Sequence, residues 1–236
     1  MKRNVGNKIK MQRAAWNFSG SVAKYFNAHI KKSVPLYQWS HKLGLILSDF
    51  FVKKNSNIYD LGCSTGVFLN EISKYHKSKN VNLYGIDEIG QMINYSKKKY
   101  KNKNLKFIKK DILKFKFKKS DLITSFYTIQ FMNASKRQTI FDKVYKSLNW
   151  GGAFIFFEKV RAPDARFQDI MTQAYTEFKL ENNFTPSEII QKSISLKGVL
   201  DPFSTKENLL FLKRAGFKDY MTIFKYINFE GFIAIK

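Results

Sequence analysis

The sequence predicts an α/β fold: a mainly parallel seven-stranded sheet with helices on both faces, ending in an antiparallel pair of C-terminal strands. Three observations carry that expectation. Five short β-branched and aromatic runs lie at Ile58–Leu61, Val81–Ile86, Leu105–Ile108, Leu122–Phe126 and Ala153–Phe157. Helical patterns at Val67–His76, Ile89–Tyr100 and Ser135–Leu148 separate most of them, and strand–helix alternation implies βαβ units. The C-terminal stretch "KDYMTIFKYINFEGFIAIK" holds two strands, Asp219–Lys225 and Gly231–Ile235, with a turn near Asn228. Strands joined so closely must pair antiparallel.

Taken in order, residues 1–18 read as a loose basic tail. They lack an apolar h-region and a cleavage site, so they are not a secretory signal. Ser19–Lys32 and Trp39–Phe51 read as helices, separated where Pro35 forces Val34 into an extended or turn conformation. Trp150-Gly151-Gly152 marks the turn into the fifth strand. From Val160 to Arg214 the alternation stops, and helical patterns dominate at Arg166–Glu181, Pro186–Ser195 and Lys206–Arg214, the last closed by Gly216. With no repeat and no low-complexity linker, residues 19–236 read as one domain, and 160–214 as a helical insertion or lid.

Hydrophobic content of 44% supplies a core for 236 residues, and one domain is the prior at this length. No apolar run reaches the ~18 residues of a membrane span. A single cysteine, Cys63, excludes an internal disulfide and suits the cytoplasm. Three scattered histidines, His29, His41 and His76, argue against a structural zinc site, and no metal is expected. The net charge of +24 invites nucleic acid. Its densest segment, Lys97–Lys119, holds twelve lysines. Yet lysines greatly outnumber arginines, a bias that genome composition alone can produce. A polyanion site and a solvated face are both open readings.

The stretch "IYDLGCSTGVFLNEI", Ile58–Ile72, is a strand, a small-residue turn and a helix. "GCSTG" matches a nucleophile elbow at Ser64, but that triad needs a downstream histidine, and His76 sits at the end of the very next helix. Gly66-Val67-Phe68 lacks the Lys-Ser/Thr of a phosphate loop. The dinucleotide fingerprint is closer, but here the glycines are spaced Gly62-x-x-x-Gly66, with Asp60 two residues before the first. That suits S-adenosylmethionine (SAM). Gly62 lets the backbone approach the methionyl part, flanked by Cys63 and Ser64, and Asp60 faces the cationic amino-acid end. Asp87, twenty-one residues past Gly66 and followed by Glu88, is placed for the ribose hydroxyls. Asp111 is placed for the adenine amino group, and Ile112 for its ring. Any one of these acids is as readily a helix N-cap. Three at the carboxyl ends of successive strands, facing one crevice, are the pattern of a class I SAM-dependent methyltransferase, a Rossmann-like fold.

Further stretches carry a narrower likeness. "FNAHIKKSVPLY", "YDLGCSTG", "YTIQF", "KRQTIFDKVYKSLNWGGAFIFFEK", "KLENNFTPSEIIQKS" and "LKRAGFKDYMTIFKYINFEGFIAIK" resemble the carboxy-S-adenosylmethionine synthase family, from about Phe18 to Lys236. The resemblance implies a methyltransferase-like homodimer that makes carboxy-SAM from SAM and prephenate, for modification of the tRNA wobble uridine. It implies ligand contacts at Tyr37, Gly62, Cys63, Ser64, Asp87, Asp111 and Ile112. Two positions depart from the family pattern. The arginine that grips the added carboxylate is Ser193 here, and the asparagine after the fourth strand is Phe126. An arginine fork on a carboxylate is worth several neutral hydroxyl contacts, so these departures favour SAM over carboxy-SAM unless Lys192, Lys197 or Arg161 substitutes.

The expectation is therefore a SAM-dependent methyltransferase-like enzyme, its acceptor a small molecule or tRNA. Tyr37, Tyr127 and Arg161 are the candidates nearest the chemistry, and Phe126 lines the ligand. The alternatives are a true carboxy-SAM synthase with a relocated carboxylate partner, and a non-catalytic SAM-binding RNA partner that uses the lysine-rich face.

Overall fold

Parallel strands need crossover connections, and the alternating segments supply them. The computed structural model describes residues 2–18 and 22–236. In order, it contains β1 (Arg3–Asn4), β2 (Lys10–Met11), α1 (Val22–Ser33), α2 (Tyr37–Ser48), β3 (Asn57–Leu61), α3 (Val67–Tyr75), β4 (Asn82–Asp87), α4 (Gly90–Lys99), β5 (Leu105–Lys109) and β6 (Ser120–Phe126). There follow α5 (Ala134–Ser147), β7 (Leu148–Lys159), α6 (Ala165–Glu181), α7 (Pro186–Ser195), α8 (Thr205–Ala215), β8 (Asp219–Tyr226) and β9 (Phe229–Ile235). The start expected for the first helix, Ser19, lies outside the described residues.

The sheet runs β5-β4-β3-β6-β7-β9-β8. β3 pairs parallel with β4 and β6, and β9 pairs antiparallel with both β7 and β8. The expected antiparallel terminal pair is therefore present, with β9 the one reversed strand. Strand order changes direction between β3 and β6, and such a switch point opens a crevice at the strands' carboxyl ends.

Period-two alternation divides the core. Ile58, Leu122, Ile155 and Phe157 face one layer with Phe68, Leu69 and Ile72 of α3. Tyr59, Ile123, Phe154 and Phe156 face the other, with Phe141 of α5 and Phe211 and Leu212 of α8. α8, expected as part of the lid, thus belongs to the helix layer under the sheet, and α6 and α7 are what remain over the crevice. α7 opens with a capping box in which Thr185 and Glu188 satisfy each other's backbone N–H, with Pro186 in the first turn.

Two expectations change. The basic stretch expected as a loose tail is packed over its described residues, 2–18: Val5, Ile9, Met11 and Trp16 are buried against Phe26 of α1 and Met92 of α4. The Ala14 and Trp16 N–H groups donate to the carbonyls of Ile194 and Ser195. Apolar residues spaced irregularly among lysines show no period, so only the surface offered by α1, α4 and α7 reveals their use. The fifth sheet strand starts at Leu148 rather than Ala153. Its early residues pair through a register irregularity between Ser120 and Leu122, and Gly151 accommodates φ 76°.

Candidate SAM-binding site

The turn after β3 is built from backbone contacts. The Gly62 and Cys63 N–H groups both donate to the Ile86 carbonyl, at 2.8 and 3.1 Å. Gly62 has φ 68°, and a Cβ there would overlap the Thr128 side chain. Asp87 at the end of β4 spans two turns: Oδ2 accepts from the Ser64 N–H at 2.9 Å and Oδ1 from the Ile89 N–H at 2.8 Å. Thr65 Oγ1 donates to Asn27 Oδ1 at 2.6 Å, tying the turn to α1. Gly66, in the left-handed region at φ 72°, N-caps α3, and a Cβ there would meet the Phe107 ring at 2.6 Å. It shapes the turn from behind and does not line the cavity.

Above the turn is a cavity of 820 Å³, large enough for a nucleoside with an amino-acid tail. Asp60, Gly62, Cys63, Ser64, Asp87, Glu88, Asp111 and Ile112 all line it. Asp60 is 3% exposed. Burial pushes its carboxyl up to about 7, against the pull of the Thr124 hydroxyl, which donates to Oδ1 at 2.8 Å, and with a further push from Asp87. Burial also raises Asp87, offset in part by the Ile89 and Ser64 N–H groups. Cys63 is buried, and burial raises its thiol well above the ordinary range. Asp111 Oδ1 accepts from the Leu113 N–H at 2.8 Å, and Glu88 is exposed at the rim.

Tyr37, Phe126 and Tyr127 line the same cavity. Burial raises the phenols of Tyr37 and Tyr127. Phe126 is as much core as lining: it stacks on Phe157 at 5.1 Å and 9° and touches Phe68 at 4.4 Å. Arg161 is not brought to the site. Its side chain is 61% exposed, pairs with Asp201 at 3.0 Å and with the carbonyl of Pro202, itself a lining residue, at 2.8 Å, and does not line the cavity. Ser193 and Lys197 do line the cavity.

Sequence reasoning did not single out several lining residues. His41, buried between Tyr37 and Phe126, directs Nδ1 at Glu71 Oε2, 3.1 Å away. His29 is paired with Lys192, and Lys159 and Lys179 complete a basic wall. A helical offset joins His29 to its buried face of α1. Lys192, named as a stand-in for the family's arginine, does line the cavity, but nothing in the sequence separates Lys159 and Lys179 from the many other lysines.

A family model for a methyltransferase domain matches residues 58–152. A carboxy-S-adenosyl-L-methionine synthase of Staphylococcus epidermidis is 44% identical over 94% of this chain and 97% of its own length. One from Campylobacter lari is 34% identical over 94% of both chains. Among solved structures, the plantazolicin methyltransferase bound to SAH matches with a TM-score of 0.66 and 15% identity, over 92% of this chain and 91% of that one. That last likeness is one of fold.

Proposed function

The chain belongs to the carboxy-S-adenosyl-L-methionine synthase family, and from that premise we propose that it binds SAM and converts it to carboxy-SAM. One observation carries the ligand assignment: Asp60, Asp87 and Asp111, from or just after the ends of three strands, line the same cavity as the Gly62–Ser64 turn. Those residues fit the ligand's groups. A carboxylate has about four acceptor positions. Two backbone N–H groups occupy part of Asp87, and the remainder suits a pair of ribose hydroxyls. The Cβ-free surface of Gly62 suits close approach by the methionyl chain. Asp60, held up by burial, gains from a cationic amino group nearby. Asp111 and Ile112 suit the adenine edge and face, and Tyr37, Tyr127 and Phe126 exclude water around the sulfonium.

Carboxylation is supported by the relatives, which carry that name over nearly the full length of the chain. Methyl transfer to an acceptor is the second reading, supported by Ser193 and Phe126 in place of the family's arginine and asparagine. The mass of the nucleoside that co-purifies with the protein tests both. A species heavier than SAM by one carboxyl group, and its production from SAM and prephenate, is the result expected. SAM or S-adenosylhomocysteine alone, with methyl transfer to an RNA or metabolite extract, would overturn it.

The lysines of Lys97–Lys119 are exposed, and tRNA is the partner this reading gives them. They also flank β5, the edge of the sheet, where lysine discourages strand addition. A homodimer is supported by apolar side chains left exposed on α6 and α7, among them Phe167, Ile170 and Ile190. Among the described residues no helix is long and apolar enough to cross a membrane, which is compatible with the proposed cytoplasmic setting.

A further inference from the structure

The SAM cavity lies at the carboxyl ends of the strands, and the amino ends carry a different chemistry. Every strand but β9 enters the sheet from that side, and an exposed lysine stands just before each. They are Lys54 before β3, Lys77 before β4, Lys103 before β5, Lys119 before β6, Lys146 before β7 and Lys218 before β8. None of the six pairs with a carboxylate among the described residues. The acids on that side are partly engaged: Asp49 holds Lys79 at 2.6 Å, and Asp121 accepts from Asn149 at 2.8 Å. Asp219 stands exposed beside Lys218. A cation in the last turn of a helix offsets the helix dipole, which accounts for Lys146 at the end of α5, but not for the other five.

Trp150 stands among these lysines, 87% exposed. Its turn is anchored rather than loose. The Gly151 N–H donates to the Lys236 carbonyl at 2.7 Å, and the Lys236 N–H returns to the Gly152 carbonyl at 3.0 Å. A Cβ at Gly151 would meet nothing, so the ground beside the indole is open. Tyr145, Lys218 and Lys236 line a groove of 220 Å³ next to it. Lys119 Nζ donates to the Lys146 carbonyl at 2.8 Å, and Lys236 Nζ to the carbonyls of Tyr145 and Leu148 at 2.8 and 3.0 Å. Burial first and the Lys119 charge second hold the Lys236 amine below its ordinary range.

An uncovered indole ringed by cations suits a single nucleic-acid strand, whose bases stack on aromatic faces while its phosphates meet lysine. Loops of RNA present such unpaired bases, and a duplex does not. We propose that the amino ends of the strands form a docking surface for single-stranded RNA, with one base stacked on Trp150 and the flanking phosphates held by Lys119, Lys146 and Lys218. The surface does not rest on the SAM reading. It lies at the opposite ends of the strands from the cavity, so RNA bound there is held without being presented to the sulfonium. It also differs from the Lys97–Lys119 assignment, because it runs across the strand entrances rather than along β5.

The probe is a fluorescently labelled oligouridylate of about twelve nucleotides, followed by anisotropy with the full-length protein at low salt, with and without saturating SAM. Wild type binds it equally in both. Trp150→Ala weakens binding about tenfold, as loss of one stacked base does, and Trp150→Phe keeps most of it. Trp150→Ala removes no charge, so its plot of log affinity against log salt keeps the wild-type slope, whereas Lys119→Gln combined with Lys218→Gln flattens it. Absence of binding by wild type overturns the proposal. So does a Trp150→Ala protein that folds as wild type by circular dichroism and binds within about twofold of it. Displacement by SAM would put the RNA in the cavity and overturn it too. Polyglutamate bound with the same dependence on Trp150 would make this a surface for an acidic protein instead. Binding lost on changing Lys97, Lys98, Lys99 and Lys101 to Gln, with Trp150→Ala and Lys218→Gln silent, refutes this surface and leaves the β5 assignment standing.

Discussion

Asp87 holds the backbone N–H of Ser64 at 2.9 Å, so the residue assigned to the ribose also fixes the turn that meets the methionyl chain. Its other oxygen holds Ile89 at 2.8 Å, joining two strand-to-helix turns through one side chain. Asp87→Ala should therefore weaken SAM binding by about 2–4 kcal/mol and also lower stability, because two N–H groups lose their acceptor. Asp87→Asn keeps one acceptor and should fall between. Calorimetry paired with thermal unfolding checks this; unchanged affinity in a folded Asp87→Ala protein would remove Asp87 from the ribose.

Asp60 predicts proton release on SAM binding. Its folded value of about 7 lies above the ordinary 3.8, so the unliganded protein holds the proton through the mildly acidic range. This group's contribution to stability is present at low pH and is lost as pH rises through about 7. A cationic amino group beside it favours the carboxylate, so binding at about pH 6 should release most of one proton, and little at about pH 8.5. Calorimetry in buffers of different ionisation enthalpy measures it. Asp60→Asn should abolish the release, and identical release in that variant would point to another group.

Gly62→Ala should destabilise the protein by at least about 2 kcal/mol, a Tm loss of roughly 4–8 °C for a domain of this size. Two causes add: a positive φ and overlap with Thr128. Thr128→Ala in the same chain removes the overlap and leaves the backbone cost, so partial recovery of Tm is expected. Full recovery would show that the φ of 68° carries no penalty here.

Ser193→Arg should raise carboxy-SAM affinity selectively, but the gain depends on the lysine wall. With Lys192 intact, an added guanidinium meets existing positive charge, and a gain under about tenfold is expected. With Lys192→Gln it restores what was lost and should gain more, a coupling a double-mutant cycle reads directly. Equal gains in both backgrounds would mean that Ser193 and Lys192 serve different groups.

RNA affinity, if the Lys97–Lys119 face binds tRNA, should fall steeply with salt because each neutralised phosphate releases counterion. Changing Lys97, Lys98, Lys99 and Lys101 to Gln should flatten a plot of log affinity against log salt. An unchanged slope would leave these lysines as guards of the β5 edge.

Much of the fold was legible because its signals are local. Ile58–Leu61 alternates with the helical spacing of Val67–His76, and only right-handed crossovers join such units. The acids were legible for the same reason: each lies within two residues of the end of its own strand. The basic wall was not. Lys192 was named only as a stand-in for the family's arginine, and Lys159 and Lys179, from two other elements, are distinguished from the lysines of the surface by tertiary packing alone. Arg161 failed in the opposite way. Its position after β7 suggested the crevice, but Asp201 and the Pro202 carbonyl, set by the loop before α8, turn it outward. The early start of β7 was hidden by Trp150-Gly151-Gly152, a turn signal that the strand absorbs as an irregularity.

The burial of Cys63 gives the protein an internal clock. Its sulfur packs so closely on β4 that a Cβ at Gly85 would lie 2.8 Å from it, and the chain carries no other thiol. With the sulfur buried, modification by a disulfide reagent is expected to require the turn to lift off β4, and its rate then counts excursions of the site out of its closed form. A ligand that must leave before the turn lifts lowers the frequency of excursions in proportion to its occupancy. The same single signal then yields both the frequency of opening and the affinity of whatever occupies the crevice, with no probe attached.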